Sequence, residues 1–143
     1  MVRKLVRKRK KCQGVVIVEF ALVLPLLLLL SLGAIKYGHL FLKAQLLTNA
    51  ARAGAREAAL ANSDWNSVNA IISGHMNAAG MGGSGYSWTF TPANAFASPP
   101  PPSGTAVTIQ ITVAAANVDV LNVPLFPAIG NIGATVTMAK EGP

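Results

Sequence analysis

The first long pattern in the chain is a run of apolar residues with no periodicity, Val15–Ile35, whose only charge is Glu19. A helix rises about 1.5 Å per residue, so these residues would span roughly 30 Å, the thickness of a bilayer core. The run is apolar on all helix faces, which favours lipid over a protein core as its surroundings. The pattern predicts a transmembrane helix over 15–35 that contains both Glu19 and Pro25.

From residue 36 to 61 the apolar positions recur with helical spacing, which predicts an amphipathic extension of the same helix. Its polar stripe consists of Gln45, Asn49, Arg52 and Arg56, and its smooth stripe of Leu40, Ala44, Leu47, Ala51, Gly54 and Ala58. The pairs Ala34/Gly38 and Ala50/Gly54 have the small-xxx-small spacing that lets helices approach closely. We therefore predict helix packing at these four residues, with plain alanine helix propensity as the alternative.

The remaining residues, 62–143, predict a small α+β module. A short helix is expected over 64–79, with Ser63 as its N-cap and an apolar face of Val68, Ile71, Ile72 and Met76. Alternating positions predict strands at 86–91, 105–116 and 134–140 and a weaker one at 118–123. A Pro-rich loop covers 92–104, and a Pro- and Gly-broken apolar loop covers 123–133. The expected fold class is α+β, with a long N-terminal helix, a short second helix and a small antiparallel sheet.

Charge is concentrated in the first 14 residues, which form a basic leader. Seven of the twelve Lys and Arg residues lie there: Arg3, Lys4, Arg7, Lys8, Arg9, Lys10 and Lys11. Basic residues directly before an apolar span hold that end of the chain in the cytoplasm, so they determine topology. A nucleic-acid-binding arm is a poorer interpretation, because no aromatic residue accompanies the basic ones. A secretory signal peptide is disfavoured because the apolar run is too long and lacks a following A-x-A site.

Residues for catalysis, metal or cofactor binding do not form a recognisable set. His39 and His75 are isolated, and the single Cys12 allows no internal disulfide. The stretch "GMGGSG" at 80–85 matches G-x-G-x-x-G, but it follows a helix and precedes a strand, the reverse of a dinucleotide-binding motif. We therefore expect no enzyme activity, no metal, no cofactor and no nucleic-acid partner.

Three motifs together resemble a known family. The three motifs are "VEFAL", "LPLLL" and "NAARAGAR", which occur in this order, and the Glu19 of the first lies after Gly14 and four apolar residues, as in prepilin processing sites. This combination is similar to TadE-like minor pilins or pseudopilins of tight-adherence, Flp-type pilus secretion systems. The resemblance covers about Gly14 to Leu60 strongly and the strand-rich end only loosely.

The resemblance implies a set of roles and partners. A prepilin peptidase would cut between Gly14 and Val15, and Glu19 would dock against the new amino terminus of a neighbouring subunit. The other partners implied are the inner membrane, further pilin or pseudopilin subunits and the pilus assembly machinery. The protein would be a single-pass protein of the bacterial inner membrane, with its C-terminal module outside the cytoplasm or on a surface pilus.

Two alternatives stay open at the level of sequence. Glu19 lies only about 6 Å of helix rise beyond Val15, so it could simply be hydrated among the cytoplasmic headgroups. The chain could also be an uncleaved single-pass anchor whose outer module binds an envelope partner. The role of Pro25 is equally undecided, because a tolerated kink and a functional bend predict the same residue.

Overall fold

The computed structural model describes residues 13–99, 101–119 and 130–142. In chain order the elements are helix α1 (Gln13–Ala59), helix α2 (Trp65–Ala78), strand β1 (Ser87–Thr91), strand β2 (Ala106–Ala114), a 3₁₀ turn (Ala115–Asn117) and strand β3 (Asn131–Ala139). The predicted α+β class is confirmed. The chain divides into two compact units at the Ile35–Lys36 boundary. The second of these, from Lys36 onward, is called the folded unit below.

The three strands form one antiparallel sheet in the order β1-β2-β3. Alternation places Val107, Ile109, Ile111 and Val113 of β2 in the core, where all four are buried. The opposite face carries hydroxyl groups, and two cross-strand pairs join them: Ser87 to Thr112 at 2.9 Å and Thr108 to Thr137 at 2.7 Å. None of the three strands contains a charged residue. The sheet is therefore held by apolar burial on one side and by hydroxyl pairs on the other.

The core of the folded unit also takes one face each of α1 and α2. Leu47, Ala51 and Ala58 of the predicted smooth stripe are fully buried, and Val68, Ile72 and Met76 of α2 pack with them. Ile71 differs from the prediction, because it is 39% exposed. It lies on the edge of the apolar arc of α2 and points away from the core.

The N-cap of α2 is Asp64 rather than the predicted Ser63. The Asp64 carboxylate accepts a hydrogen bond from the Ser67 backbone N–H at 2.6 Å, and the Ser67 hydroxyl lies 3.3 Å from the Asp64 backbone N–H. This reciprocal arrangement is a capping box. The hydrogen bonds from Ser67 hold the pKa of the Asp64 carboxyl below its ordinary value of 3.8. Ser63 instead donates its hydroxyl to the Ala58 carbonyl at 3.1 Å.

Lysine side chains satisfy the carbonyl groups at both helix C-termini. Lys43 Nζ donates to the Ala79 carbonyl at the end of α2 at 2.8 Å. Lys140 Nζ donates to the carbonyls of Ala58 and Leu60 at 3.1 and 2.8 Å, and to the Ser63 hydroxyl at 3.0 Å. Helix C-termini carry unpaired carbonyls and partial negative charge, so a buried ammonium is well matched to them. The end of β3 thereby closes the end of α1.

Candidate functional site

The apolar segment of α1, Val15–Ile35, exposes its large side chains. Leu22 and Leu30 are 75% and 69% exposed, and the most apolar window of the helix has a mean hydropathy of 2.8 with none of it buried. By length and composition this is the one helix in the described residues able to cross a membrane. The exposure of so many leucines distinguishes the segment from the core helix of a soluble protein, whose apolar residues are mostly buried.

Glu19 lies on this segment one turn after Val15, with an exposed carboxylate. Within the described residues the structure gives this carboxylate no hydrogen-bond or ion-pair partner. Gly14 and Val15 occupy the first turn of α1, which begins at Gln13. A charged group on an otherwise apolar segment is costly in hydrocarbon and needs a neutralising partner there.

Pro25 lies inside α1, which is assigned as helix on both sides of it. A proline has no backbone N–H, so the carbonyl of Ala21 lacks its usual donor four residues later. Nearby, the Ser31 hydroxyl donates to the Leu27 carbonyl at 2.8 Å. The helix accommodates Pro25 without ending.

The four small residues of the two small-xxx-small pairs have different surroundings. Ala50 and Gly54 are buried, and a Cβ atom at Gly54 would lie 2.7 Å from Ile72 Cγ1 on α2. Ala34 and Gly38 are exposed, and a Cβ at Gly38 would meet nothing within 4 Å. A side chain at 54 would therefore have to displace the buried side chain of Ile72, whereas no contact within the described residues gives a packing reason for a glycine at 38.

The first charged residue after the apolar segment, Lys36, is buried. Its Nζ lies 3.0 Å from Oδ2 of Asp119, and the two side chains are 4% and 16% exposed. Sequence reasoning missed Asp119, because 83 positions separate it from Lys36 and no motif links them. The pair joins the start of the α1 extension to the segment after β2.

A cleft of about 250 Å³ adjoins this ion pair and is lined by His39, Lys43, Gly80, Asn117, Val118 and Asp119. His39 Nδ1 is buried there without a hydrogen-bond partner. Across the described residues, no three His, Cys, Asp or Glu side chains lie close enough together to hold a metal ion. The cleft combines groups of both charges and does not assemble a recognisable catalytic set.

The face of α1 opposite the core is exposed along the folded unit. It is called the open face below and consists of Phe41, Leu42, Gln45, Asn49, Arg52 and Arg56. Its last four residues are the polar stripe predicted from the sequence, and all four are exposed. Phe41 and Leu42, which are 67% and 54% exposed, extend that stripe with apolar side chains.

Several predictions concern residues that the structure does not describe. The basic residues of the leader, from Arg3 to Lys11, lie outside the described residues, as do Cys12 and most of the apolar loop at 123–133. Of the weak strand expected at 118–123, only Val118 and Asp119 are described, and neither is in a strand.

Comparison with known proteins gives one match. No curated protein and no solved structure matches the chain. Residues 14–56 match the family model described as TadE-like protein. This range contains Glu19, Pro25, all four small residues of the two small-xxx-small pairs, and the whole open face. The resemblance seen in the motifs is thus confirmed for residues 14–56, which form a TadE-like segment. This match supports the interpretation of the protein as a pilin-like component of a Tad system.

Proposed function

We propose that this protein is a TadE-like minor pilin or pseudopilin, a structural component of Flp-type pilus assembly or tight-adherence secretion. The observation that supports this most is Glu19, a carboxylate without a partner on an exposed apolar helix within the matched segment. The apolar segment anchors the chain in the inner membrane, and the basic leader keeps the N-terminus in the cytoplasm. The folded unit then lies on the side of the inner membrane that faces away from the cytoplasm.

Processing by a prepilin peptidase would create the partner that Glu19 lacks. Cleavage after Gly14 leaves the α-ammonium of Val15 at the N-terminus of α1. The helix dipole disfavours a cation at that end, so the new ammonium group is stabilised by an external anion. Glu19 of a neighbouring subunit supplies a carboxylate at nearly the same depth, and each charge neutralises the other in a medium of low dielectric constant.

The size of the folded unit favours a minor component over the main filament subunit. The described part of this unit carries two helical elements and a three-stranded sheet. A subunit of this kind would place that unit at a filament end or next to the assembly machinery in the membrane. Its role is structural, and no catalytic residues are assigned.

The test compares the intact mass and N-terminal sequence of the protein extracted from membranes with and without a prepilin peptidase. A product that begins at Val15, seen only with the peptidase, supports the proposal. A full-length chain in both samples contradicts it and favours the uncleaved single-pass anchor.

Docking is tested separately with Glu19→Gln, which removes the charge and keeps the size. We expect the variant to be processed normally but not to enter pili or pilin complexes. Glu141→Gln is the matched control, since Glu141 is an exposed carboxylate outside the apolar segment. Normal assembly of Glu19→Gln at unchanged protein level would show that the carboxylate does not dock subunits.

A further inference from the structure

We infer that the cleft beside the Lys36–Asp119 pair binds the phosphate group of a membrane phospholipid. The cleft lies in the folded unit and has a volume of about 250 Å³, with walls from the start of the α1 extension, the end of α2 and residues 117–119. A volume of this size suits a headgroup fragment and is too small for a large ligand. The inference rests on the proposed function only for the placement of α1 in the inner membrane.

His39 contributes a buried polar atom without a partner. Its Nδ1 is buried and makes no hydrogen bond within the described residues, although the residue as a whole is only half-buried. A ring nitrogen is either a donor or an acceptor, and leaving it unsatisfied in a buried position costs free energy. His39 lines the cleft, so a group bound there is placed to supply the missing hydrogen bond.

The charged groups of the cleft select an anion. The carboxylate of Asp119 is balanced by Lys36, whose Nζ lies 3.0 Å from it, so the ammonium group of Lys43 is the excess charge among the lining residues. Lys43 Nζ donates to the Ala79 carbonyl at 2.8 Å, which holds the ammonium group at the wall of the cleft. An ammonium group has three N–H donors, and the described residues accept from one of them.

A phosphate group meets both requirements. Its oxygen atoms accept charge-assisted hydrogen bonds from Lys43, and one of them accepts from His39 when the ring carries its proton on Nδ1. A water molecule satisfies the nitrogen of His39 but leaves the charge of Lys43 uncompensated. The ligand is therefore an anion with several acceptor oxygens.

The position of the cleft along α1 indicates a lipid as the source of this anion. Lys36 directly follows the apolar segment, and His39 and Lys43 follow Lys36 by about 5 and 10 Å of helix rise. The headgroup layer of a bilayer is roughly 5 to 8 Å thick on each side of the hydrocarbon core. Tyr37 and Phe41, which are 41% and 67% exposed, occupy the same two turns and are side chains suited to a membrane interface. Phosphate is the anionic group that every phospholipid carries at this depth.

The experiment measures thermal unfolding of the full-length protein in a nonionic detergent during titration with dioctanoylphosphatidylglycerol. Unfolding is followed by tryptophan fluorescence, because Trp65 and Trp88 both lie in the folded unit and do not report lipid bound only by the basic leader. Binding to the folded state raises the midpoint temperature as the ligand concentration rises. We expect a saturating rise with this phospholipid and none with dioctanoylglycerol, which has the same chains but no phosphate. Inorganic phosphate and glycerol 3-phosphate should need concentrations at least roughly tenfold higher, because they lack the chains that hold the lipid beside α1.

Variants locate the binding in the cleft. His39→Phe keeps an aromatic ring and removes Nδ1, and Lys43→Gln removes the excess charge, so each should weaken binding by roughly tenfold. Lys43→Arg keeps the charge and should retain most of the affinity. The matched controls are His75→Phe and Arg52→Gln, which change the other histidine and an exposed cation of the same helix, and both should bind as the wild type does.

A second measurement does not depend on stability, and it applies even where Lys43→Gln does not fold. The chain has two histidines, so nitrogen-15 spectra of the imidazole groups contain two sets of ring signals. We expect the phospholipid to shift the signals of His39 and to leave those of the exposed His75 unchanged.

Four results would overturn the inference: no response to the phospholipid, an equal response to dioctanoylglycerol or to a soluble phosphate, full binding by His39→Phe, or equal shifts at both histidines. Cleavage after Gly14 is measured by intact mass in the same preparations. A cleaved chain that does not respond to the phospholipid overturns this inference alone. An uncleaved chain that responds contradicts only the proposed processing.

Discussion

The ammonium group of Lys36 and the carboxylate of Asp119 lie 3.0 Å apart, and their side chains are 4% and 16% exposed. Burial costs each ion part of its hydration, and their mutual attraction compensates for part of that cost. Lys36 is the first residue of the folded unit, directly after the apolar segment. The pair therefore fixes one end of the α1 extension against the segment that follows β2.

Removing one member of this pair should be strongly destabilising. We expect Asp119→Asn to lower the free energy of unfolding of the folded unit by about 3 to 5 kcal/mol, because it leaves a buried lysine without its counter-charge. Urea unfolding of the detergent-solubilised protein measures the change. Glu141→Gln, at an exposed position, should change it by less than about 0.5 kcal/mol.

A double substitution separates charge from packing at the same site. Lys36→Met combined with Asp119→Leu removes both charges and keeps apolar volume, so it should recover most of the stability lost in Asp119→Asn. If the double variant is as unstable as the single one, the unpaired charge is not the cause of the loss.

The two glycines at 38 and 54 should respond oppositely to a larger side chain. Gly54→Val overpacks the contact with the fully buried Ile72 and should cost about 1 to 3 kcal/mol. Gly38→Ala has open space around the new methyl group and should raise stability by up to about 1 kcal/mol through helix propensity. Thermal unfolding of both variants beside the wild type tests this contrast. Equal effects at the two positions would contradict the packing difference.

Lys140→Met should destabilise the folded unit because it removes the donor for two carbonyls at the end of α1 and for the Ser63 hydroxyl. Leaving buried acceptors unsatisfied costs about 1 to 3 kcal/mol for each, although water can reach some of them. Lys43→Met, which removes a single bond at the end of α2, is the comparison and should cost less. Urea unfolding of the two variants tests the prediction, and we expect the lower midpoint concentration for Lys140→Met.

Burial lowers the pKa of the Lys140 ammonium below its ordinary value of 10.5, which predicts a pH dependence. Between the folded-state pKa and 10.5, the unfolded chain holds this proton and the folded chain has lost it. Unfolding then takes up a proton, so this group makes the folded state more stable as pH rises through that window. The stability difference between wild type and Lys140→Met should therefore widen towards pH 10.5, and a difference that narrows would contradict this direction.

The N-cap of α2 has a pH dependence of the same sign, but at low pH, because the pKa of Asp64 is also lowered in the folded state. The folded-state pKa of Asp64 lies below 3.8, so its capping contribution is complete above that value and is lost as pH falls through the lower one. Asp64→Asn keeps the capping geometry and removes the titration. We expect the acid unfolding curve of the variant to lose that part of its pH dependence, as followed by far-ultraviolet circular dichroism.

Much of this fold could be predicted from local patterns. The apolar run, the stripes of α1 and the alternation at 107–113 depend on neighbours a few residues away, and the structure confirms the helix, the strands and the buried stripe. The wrong choice of Ser63 rather than Asp64 as the N-cap of α2 also has a local cause. Both residue types cap helices, and only the capping box with Ser67 selects Asp64.

The long-range contacts could not be predicted in this way. Asp119 lies in an uncharged stretch and Lys140 has only Glu141 as a charged neighbour in sequence, so nothing nearby reveals the contacts that each makes with α1 or its end. Likewise, the two small-xxx-small pairs look equivalent in sequence, although only Gly54 contacts α2. Which face of α1 the sheet covers is decided by the packing of residues far apart along the chain, and this choice leaves Arg52 and Arg56 in solvent.

The contact between Lys140 and the end of α1 also bears on the order of biosynthesis. Lys140 follows Ala58 by 82 residues, so the last turn of the first helix is closed by a residue that is made much later than the helix itself. The folded unit cannot complete its structure until Lys140 has left the ribosome and, where the chain is exported, the translocation channel. Until then the uncharged strands are exposed without their final partners, and aggregation competes with folding during this interval.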